Sequence, residues 1–315
     1  DVVLSKLTSD IVREFIIEIT GEEGLLKFKK NLELDSSYPF ENGDRYRVNC
    51  YRDSNGYSIA MRIIPKNIPS IEELGLGEKV KEMCNKSKGL ILITGPTGSG
   101  KSTNLAAMID YINKNFKKHI VTIEDPVEFS FKSDKCLINQ REVGSHTHGF
   151  APAIKASLRE DPDIIMVGEM RDPETIKAAL TLAETGHLVL STLHTNDSVQ
   201  TVDRIVDIFP TTQQKQIRMQ LAMSLVGIMS QRLLPRIDKA GRVAAREMLI
   251  ANDATKSLII SGKTHQLYSV LEIGQKQGMI LMDKYLLALF KKKMISKDTL
   301  MSYIRDKEGV EMLLD

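Results

Sequence analysis

Cysteine is scarce in this 315-residue chain, and its three positions, Cys50, Cys84 and Cys136, lie far apart with no CxxC pair among them. Such spacing offers neither a disulfide framework nor a tetrathiolate zinc site, and it fits a reducing compartment. Long apolar runs are missing too: none approaches the roughly 20 residues that a membrane-spanning helix needs. The opening "DVVLSKLTSD" has no Met and no basic and apolar leader, so the natural N-terminus is expected upstream. Charge of one sign is also lacking. Lys and Arg number 43 against 41 Asp and Glu, a net of +2, too even to argue for nucleic acid or an anionic lipid surface as a partner. There are no internal repeats or low-complexity tracts.

What is present is length enough for two cores. "RYRVNCYRD" and "YSIAMRII" alternate in a β-like way around "DSNG", whose Asn-Gly pair signals a hairpin turn. A small α+β domain over residues 1–68 is predicted from them. The break "IPKNIPSIEELGL", with two prolines and a capped helix start at Ser70, puts the boundary near Pro69. Over residues 69–315 the pattern changes to α/β. "GLILITG", "HIVTIEDP", "DIIMVGEM" and "GHLVLSTLH" are apolar runs of buried-strand length separated by helical stretches, the pattern of a doubly wound parallel sheet. From about residue 198 the pattern is mostly helical, including "TQQKQIRMQLAMSLVGIMSQRLL" and "MDKYLLALFKKKMI", so a helical C-terminal lobe is expected.

The sharpest signal is "GPTGSGKST", running through Gly95, Pro96, Thr97, Gly98, Ser99, Gly100, Lys101, Ser102 and Thr103 between a strand and a helix. Small residues let backbone N–H groups wrap phosphates, Lys101 reaches the terminal phosphates, Ser102 ligates Mg²⁺, and the helix N-terminus adds its dipole. Hydrolysis also needs carboxylates on neighbouring strands. "TIEDPVEF" supplies Glu124, Asp125 and Glu128; "DIIMVGEMRD" supplies Glu169, preceded by Gly168 where an Asp often stands. Glu169 is therefore assigned to the metal, through water, and Glu128 or Glu124 to the base. His187 and His194 flank another strand, and His194, at its C-terminal end, is a candidate γ-phosphate sensor. His146 and His148 have no further ligand at metal spacing and are read as loop residues. Lys291 to Lys293 close a helix and are read as a solvated end rather than a partner site.

Together these motifs resemble the secretion ATPases of type II secretion and type IV pilus systems, a RecA-like P-loop family. They carry that family's Walker A, aspartate box, Walker B "IIMVGEMRD" and histidine box "GHLVLSTLHTND" in order, and "INQREVG", "SLREDPD" and "SQRLLPR" extend the similarity through nearly the whole chain. Assembly and secretion members carry paired zinc cysteines in the C-terminal half. This chain has no cysteine after Cys136, which together with "GRVAAREMLI" points to the retraction, or twitching-motility, branch. A retraction segment close to AIRNLIRE aligns with "ATKSLIIS", which keeps Ala254, Leu258 and Ile259 without the charged residues.

The resemblance implies PAS-like N-terminal domains, a homohexameric ring, ATP as fuel, and domain rotations that extract pilins from the fibre. It also implies a cytoplasmic location peripheral to the inner membrane, where a platform protein is the partner. The family's arginines fall on the hairpin, at Arg47 and Arg62 and also Arg45. An arginine delivered to the γ-phosphate is worth about 10³ to 10⁵ in rate. The same ring pushing pilins or substrate outward, and a nucleotide-gated regulatory subunit with little hydrolysis, are the alternatives.

Overall fold

The computed structural model describes residues 7–40, 45–65 and 67–314; the first six residues and Lys66 of the proline-containing break lie outside them. The chain divides into two compact units, Asp1–Ile68 with Glu128–Ser130, and Pro69–Val127 with Phe131–Asp315.

In the first unit α1 (Ser9–Asn31) precedes three antiparallel strands, β1 (Glu33–Pro39), β2 (Arg45–Asp53) and β3 (Gly56–Ile64), in the order β1-β2-β3. Thr8 caps α1 by accepting from the Ile11 N–H, and a break at Gly21 bends the helix. The helix buries Val12, Ile16, Leu25 and Phe28 against Val48 and Cys50 of the sheet. Asp53 pairs with Gly56, so Ser54 and Asn55 form the two-residue hairpin loop, and the Asp53 carboxylate accepts from the Asn55 N–H at 2.7 Å. The alternation of β2 puts Arg47 on the face opposite the core, directly across from Arg62 of β3.

The second unit opens on a single turn in which Ser70 and Glu73 cap each other, at 2.7 and 3.1 Å. The capped helix expected at Ser70 stops there, because Gly75 takes a left-handed conformation (φ 61°), and the first helix, α2 (Glu78–Cys84), follows it. Then come β4 (Gly89–Thr94), α3 (Lys101–Asn115), β5 (His119–Glu124), β6 (Leu137–Glu142), α4 (Phe150–Ser157), β7 (Ile164–Val167), α5 (Pro173–Glu184) and β8 (Leu188–Leu193). The chain continues through α6 (Ser198–Asp207), α7 (Thr211–Ser224), β9 (Leu225–Pro235), β10 (Arg242–Ile250) and α8 (Asp253–Ser261). It closes with α9 (Leu267–Ile273), α10 (Met282–Lys291), α11 (Lys297–Tyr303) and α12 (Lys307–Leu314).

Seven strands form one sheet in the order β10-β9-β4-β8-β7-β5-β6, parallel except for the β10–β9 pair. Every residue of β4 is buried, as a strand covered on both faces requires. Leu90 and Leu92 feed one core and Ile91 and Ile93 the other. A third cluster packs Leu234 and Ala245 under Met282, Leu286, Leu289 and Leu300 of the C-terminal helices and Ile295 between them. The three thiols are buried and free, and desolvation pushes Cys50 up to about 11 and Cys84 up to about 12.

From residue 198 the chain is mostly helical, as expected, but the run read as helical through "LVGIMSQRLL" is corrected here, because residues 225–235 and 242–250 extend the sheet as β9 and β10. The run "LVGIMSQRLL" is apolar at most positions, so its periodicity does not separate a buried strand from a buried helix. Pairing with β4 on one side and β10 on the other decides it. Gly227 sits within this pairing, and a Cβ there would meet the Leu249 carbonyl oxygen at 2.8 Å. Gly227→Ala is therefore expected to cost about 1–3 kcal/mol, read as a lower urea midpoint at unchanged m. A midpoint equal to that of the parent would contradict the packing.

Candidate active site

The strand order sets β4, β8, β7 and β5 side by side and parallel, so their C-terminal ends share one edge. The glycine-rich loop leaves β4 there, His194 leaves β8, Gly168 and Glu169 leave β7, and Glu124 ends β5. Ligands of open α/β sheets bind at this edge.

The loop is built by close approach. At Gly95 (φ 144°) a Cβ would lie 2.2 Å from the Gln231 carbonyl oxygen, so no side chain fits. Pro96, Thr97 and Gly98 form an exposed crest, and Ser99 is buried with its Oγ unpartnered. Gly100, the N-cap of α3, offers no side chain to the first-turn N–H groups. The helix therefore presents those donors and its positive end to an anion. Lys101 donates to the carbonyls of Gly95 (2.9 Å) and Pro96 (3.1 Å), and its Nζ lies 3.4 Å from His194 Nδ1. Burial pushes its ammonium below the ordinary value, with Glu169 pulling it back up. Ser102 and Thr103 follow on the first turn of α3, Ser102 exposed.

Glu169 is held by its neighbours: Gly168 N–H donates to Ile123 O at 2.8 Å, and Met170 N–H to Thr192 O at 3.1 Å. Its Oε2 lies 2.7 Å from Arg171 Nε and 3.5 Å from His194 Nε2, so His194 stands between Lys101 and Glu169. Desolvation and the Lys101 charge push the His194 imidazole below its ordinary value, against the pull of Glu169. Glu124 is buried, its Oε1 accepting from Thr122 Oγ1 (2.6 Å) and Gln140 Nε2 (3.1 Å), whereas Asp125 is exposed.

Other expected residues are placed elsewhere. His187 precedes β8, so it sits about 20 Å from His194 at the opposite end of the strand. Its Nδ1 lies 3.2 Å from the Leu182 carbonyl oxygen, and it serves the end of α5. Glu128 groups with Arg47 and Arg62 in the first unit. Arg45 donates to Ser37 Oγ at 2.9 Å. His146 Nδ1 accepts from the Glu142 N–H at 3.0 Å within its loop.

Three buried charged or polar residues escaped the sequence reading. Glu142 accepts from the Val127 N–H at 3.1 Å and so fixes the segment after β5. Gln231 donates through Nε2 to Ser99 O at 2.6 Å, and Arg246 donates to Gln231 Oε1 at 2.6 Å. No local spacing announces them, since 132 residues separate Gln231 from Ser99.

A glycine-cradled helix start with a buried lysine, a histidine and a carboxylate on adjacent strands is the site of a P-loop nucleotide-binding protein. The family model "Type II/IV secretion system protein" matches residues 41–268, and the chain belongs to that family. It is 45% identical over 307 residues to a twitching motility protein of Neisseria gonorrhoeae, covering 98% of this chain and 82% of that one. It is 47% identical over 287 residues to the type IV pilus retraction ATPase PilT of Pseudomonas aeruginosa, covering 91% and 83%. A crystal structure of the pilus retraction motor PilT with bound ADP superimposes at a TM-score of 0.90 with 45% identity, covering 96% of this chain and 86% of that one.

His194 should titrate below the ordinary imidazole value of about 6.5, and Lys101→Met should move it upward. Because the folded parent protein binds fewer protons at this site than the unfolded chain, its contribution to stability is complete above about 6.5 and is lost as pH falls from there through the lower folded value. Imidazole NMR titration checks both; a value at or above the ordinary one in the parent protein would contradict the geometry.

Proposed function

We propose that the chain is an ATP-hydrolysing motor that works as a homohexameric ring and drives type IV pilus retraction from the cytoplasmic face of the inner membrane. The observation that carries the chemistry is the run Lys101–His194–Glu169, with gaps of 3.4 and 3.5 Å, at the lip of the phosphate loop. Retraction is favoured by the relatives named above and by the absence of cysteine after Cys136, where assembly members would hold zinc. Among the described residues no helix is long and apolar enough to cross a membrane; we assign receipt of the force to a separate platform protein.

In this reading the first-turn N–H groups of α3 and Lys101 hold the β- and γ-phosphates, and His194, kept neutral, reports the γ-phosphate to Glu169. The donor set fits Mg²⁺: Ser102 Oγ is exposed at the helix start, and the Glu169 carboxylate lies at the same edge. Bound with the nucleotide, Mg²⁺ would neutralise phosphate charge. Glu128 takes the proton of the attacking water as its oxygen bonds to the γ-phosphorus and the bond to ADP breaks. Glu124 is the weaker candidate, because its Oε1 is already spent on Thr122 and Gln140. Arg47 and Arg62 face each other across adjacent strands, an arrangement of like charges that an anion relieves. We assign them to the γ-phosphate of a neighbouring subunit.

Lys101→Ala should abolish tight nucleotide binding, measured by titration with a fluorescent ATP analogue. Glu128→Gln should keep binding and cut turnover about 10² to 10⁴-fold. Normal hydrolysis by that variant would move the base to Glu124 or Glu169. Arg47→Ala should lower turnover without loss of binding, and an unchanged rate would sink the arginine assignment.

A further inference from the structure

Arg246 is a buried cation, 7% exposed, on β10. Among the described residues its partners include no carboxylate, and the Tyr285 side chain faces it as one hydrogen-bond partner. Nε donates to Gln231 Oε1 at 2.6 Å, Nη2 to Leu74 O at 2.7 Å and Nη1 to Gly75 O at 3.2 Å. Burial depresses the basicity of this guanidinium, so the position is costly to the fold. Two backbone carbonyls and an amide oxygen, beside the Tyr285 hydroxyl, are what it holds in return.

Gln231 is buried too, at 3% exposed, and uses both ends of its amide. The oxygen faces the Arg246 donor and the nitrogen faces the Ser99 carbonyl, at 2.6 Å each. The reverse orientation would set donor against donor and acceptor against acceptor, so one orientation satisfies both partners. The same residue also fills the space left by two loop glycines: its carbonyl oxygen abuts Gly95 and its Nε2 lies 2.9 Å from a Cβ position on Gly100.

The far end of the chain of bonds is the turn at residues 70–76, the first folded piece after the boundary at Pro69. Its amides are themselves hydrogen-bonded, Leu74 to Ser70 O, Gly75 to Glu72 O and Leu76 to Ile71 O. Ile71 and Leu76 anchor it in the core with Met229 and Met248 of β9 and β10. The phosphate loop and the turn that opens the second unit are thus joined by Ser99, Gln231 and Arg246.

We propose that Gln231 and Arg246 form a relay that transmits the state of the phosphate loop to the turn at residues 70–76, the first folded piece of the second unit. Both are positioning residues: Gln231 acts through the Ser99 carbonyl and Arg246 through Gln231. The proposal rests on the nucleotide-binding reading of the loop above. When phosphate draws Lys101 away from the Gly95 and Pro96 carbonyls, the loop backbone shifts, and the Ser99 carbonyl carries Gln231 with it.

Hydrogen exchange of the full chain, with and without saturating ADP, tests this at the Leu74, Gly75 and Leu76 amides. Nucleotide should change their exchange rates about tenfold in the parent protein, roughly the effect of one hydrogen bond. Gln231→Glu keeps an acceptor for Arg246 but sets an oxygen against the Ser99 carbonyl. It should still bind ADP, about tenfold more weakly, and lose the nucleotide-dependent change at the turn. Arg246→Lys, which keeps the charge but not the three-way reach, should lose it as well. A turn unaffected by ADP in the parent, or a response that survives in Gln231→Glu, would overturn the relay. A lower Tm with an intact response would leave these residues a structural role only and likewise overturn it. Failure of the parent to bind ADP, measured first, would overturn the nucleotide-binding reading and the relay together.

Discussion

Close approach between the end of β4 and β9 is the constraint from which the site follows. Thr94 and Ser230 share a hydroxyl contact at 2.7 Å, and one residue later Gly95 turns with the Gln231 carbonyl against it. A side chain at Gly95 would force the strands apart. With the gap closed, the loop is pressed back over its own helix, and Gly100 starts α3 with its N–H donors uncovered. Everything else at the edge is set by the neighbouring strands, whose registry brings His194 and Glu169 to the lysine.

Electrostatics at this edge are those of partial burial. Lys101, 8% exposed, is satisfied by two carbonyls of its own loop. His194 lies between that ammonium and the Glu169 carboxylate, and the combination of desolvation and a nearby cation keeps its proton off. A neutral imidazole can accept from Lys101 on one nitrogen and donate to Glu169 from the other, which makes the triad sensitive to where negative charge sits. Arg171, exposed beside Glu169, adds a second cation at the rim.

Much of this was legible in the sequence, because the signals are local. Four strands of the sheet announced themselves as short apolar runs, and the phosphate loop as a spacing between a strand and a helix. The hairpin around Asn55 followed from turn chemistry. The strand β9 was hidden because a run apolar at most positions shows no clear period, and its partners make it a strand. His187 and His194 both flank β8 in sequence, and the six residues of that strand put them at its opposite ends. Gln231 and Arg246 were invisible for a different reason: beyond each other, they hold main-chain carbonyls distant in sequence, and a carbonyl leaves no trace in residue identity.

Hydrolysis measured against protein concentration, with the mass in solution followed in Mg²⁺ and ATP, tests the central claim most directly. A motor whose sites are completed between subunits predicts turnover per chain that rises as a six-subunit species forms. Full turnover by the single chain, or an assembled ring that binds ATP tightly without hydrolysing it, would contradict the account.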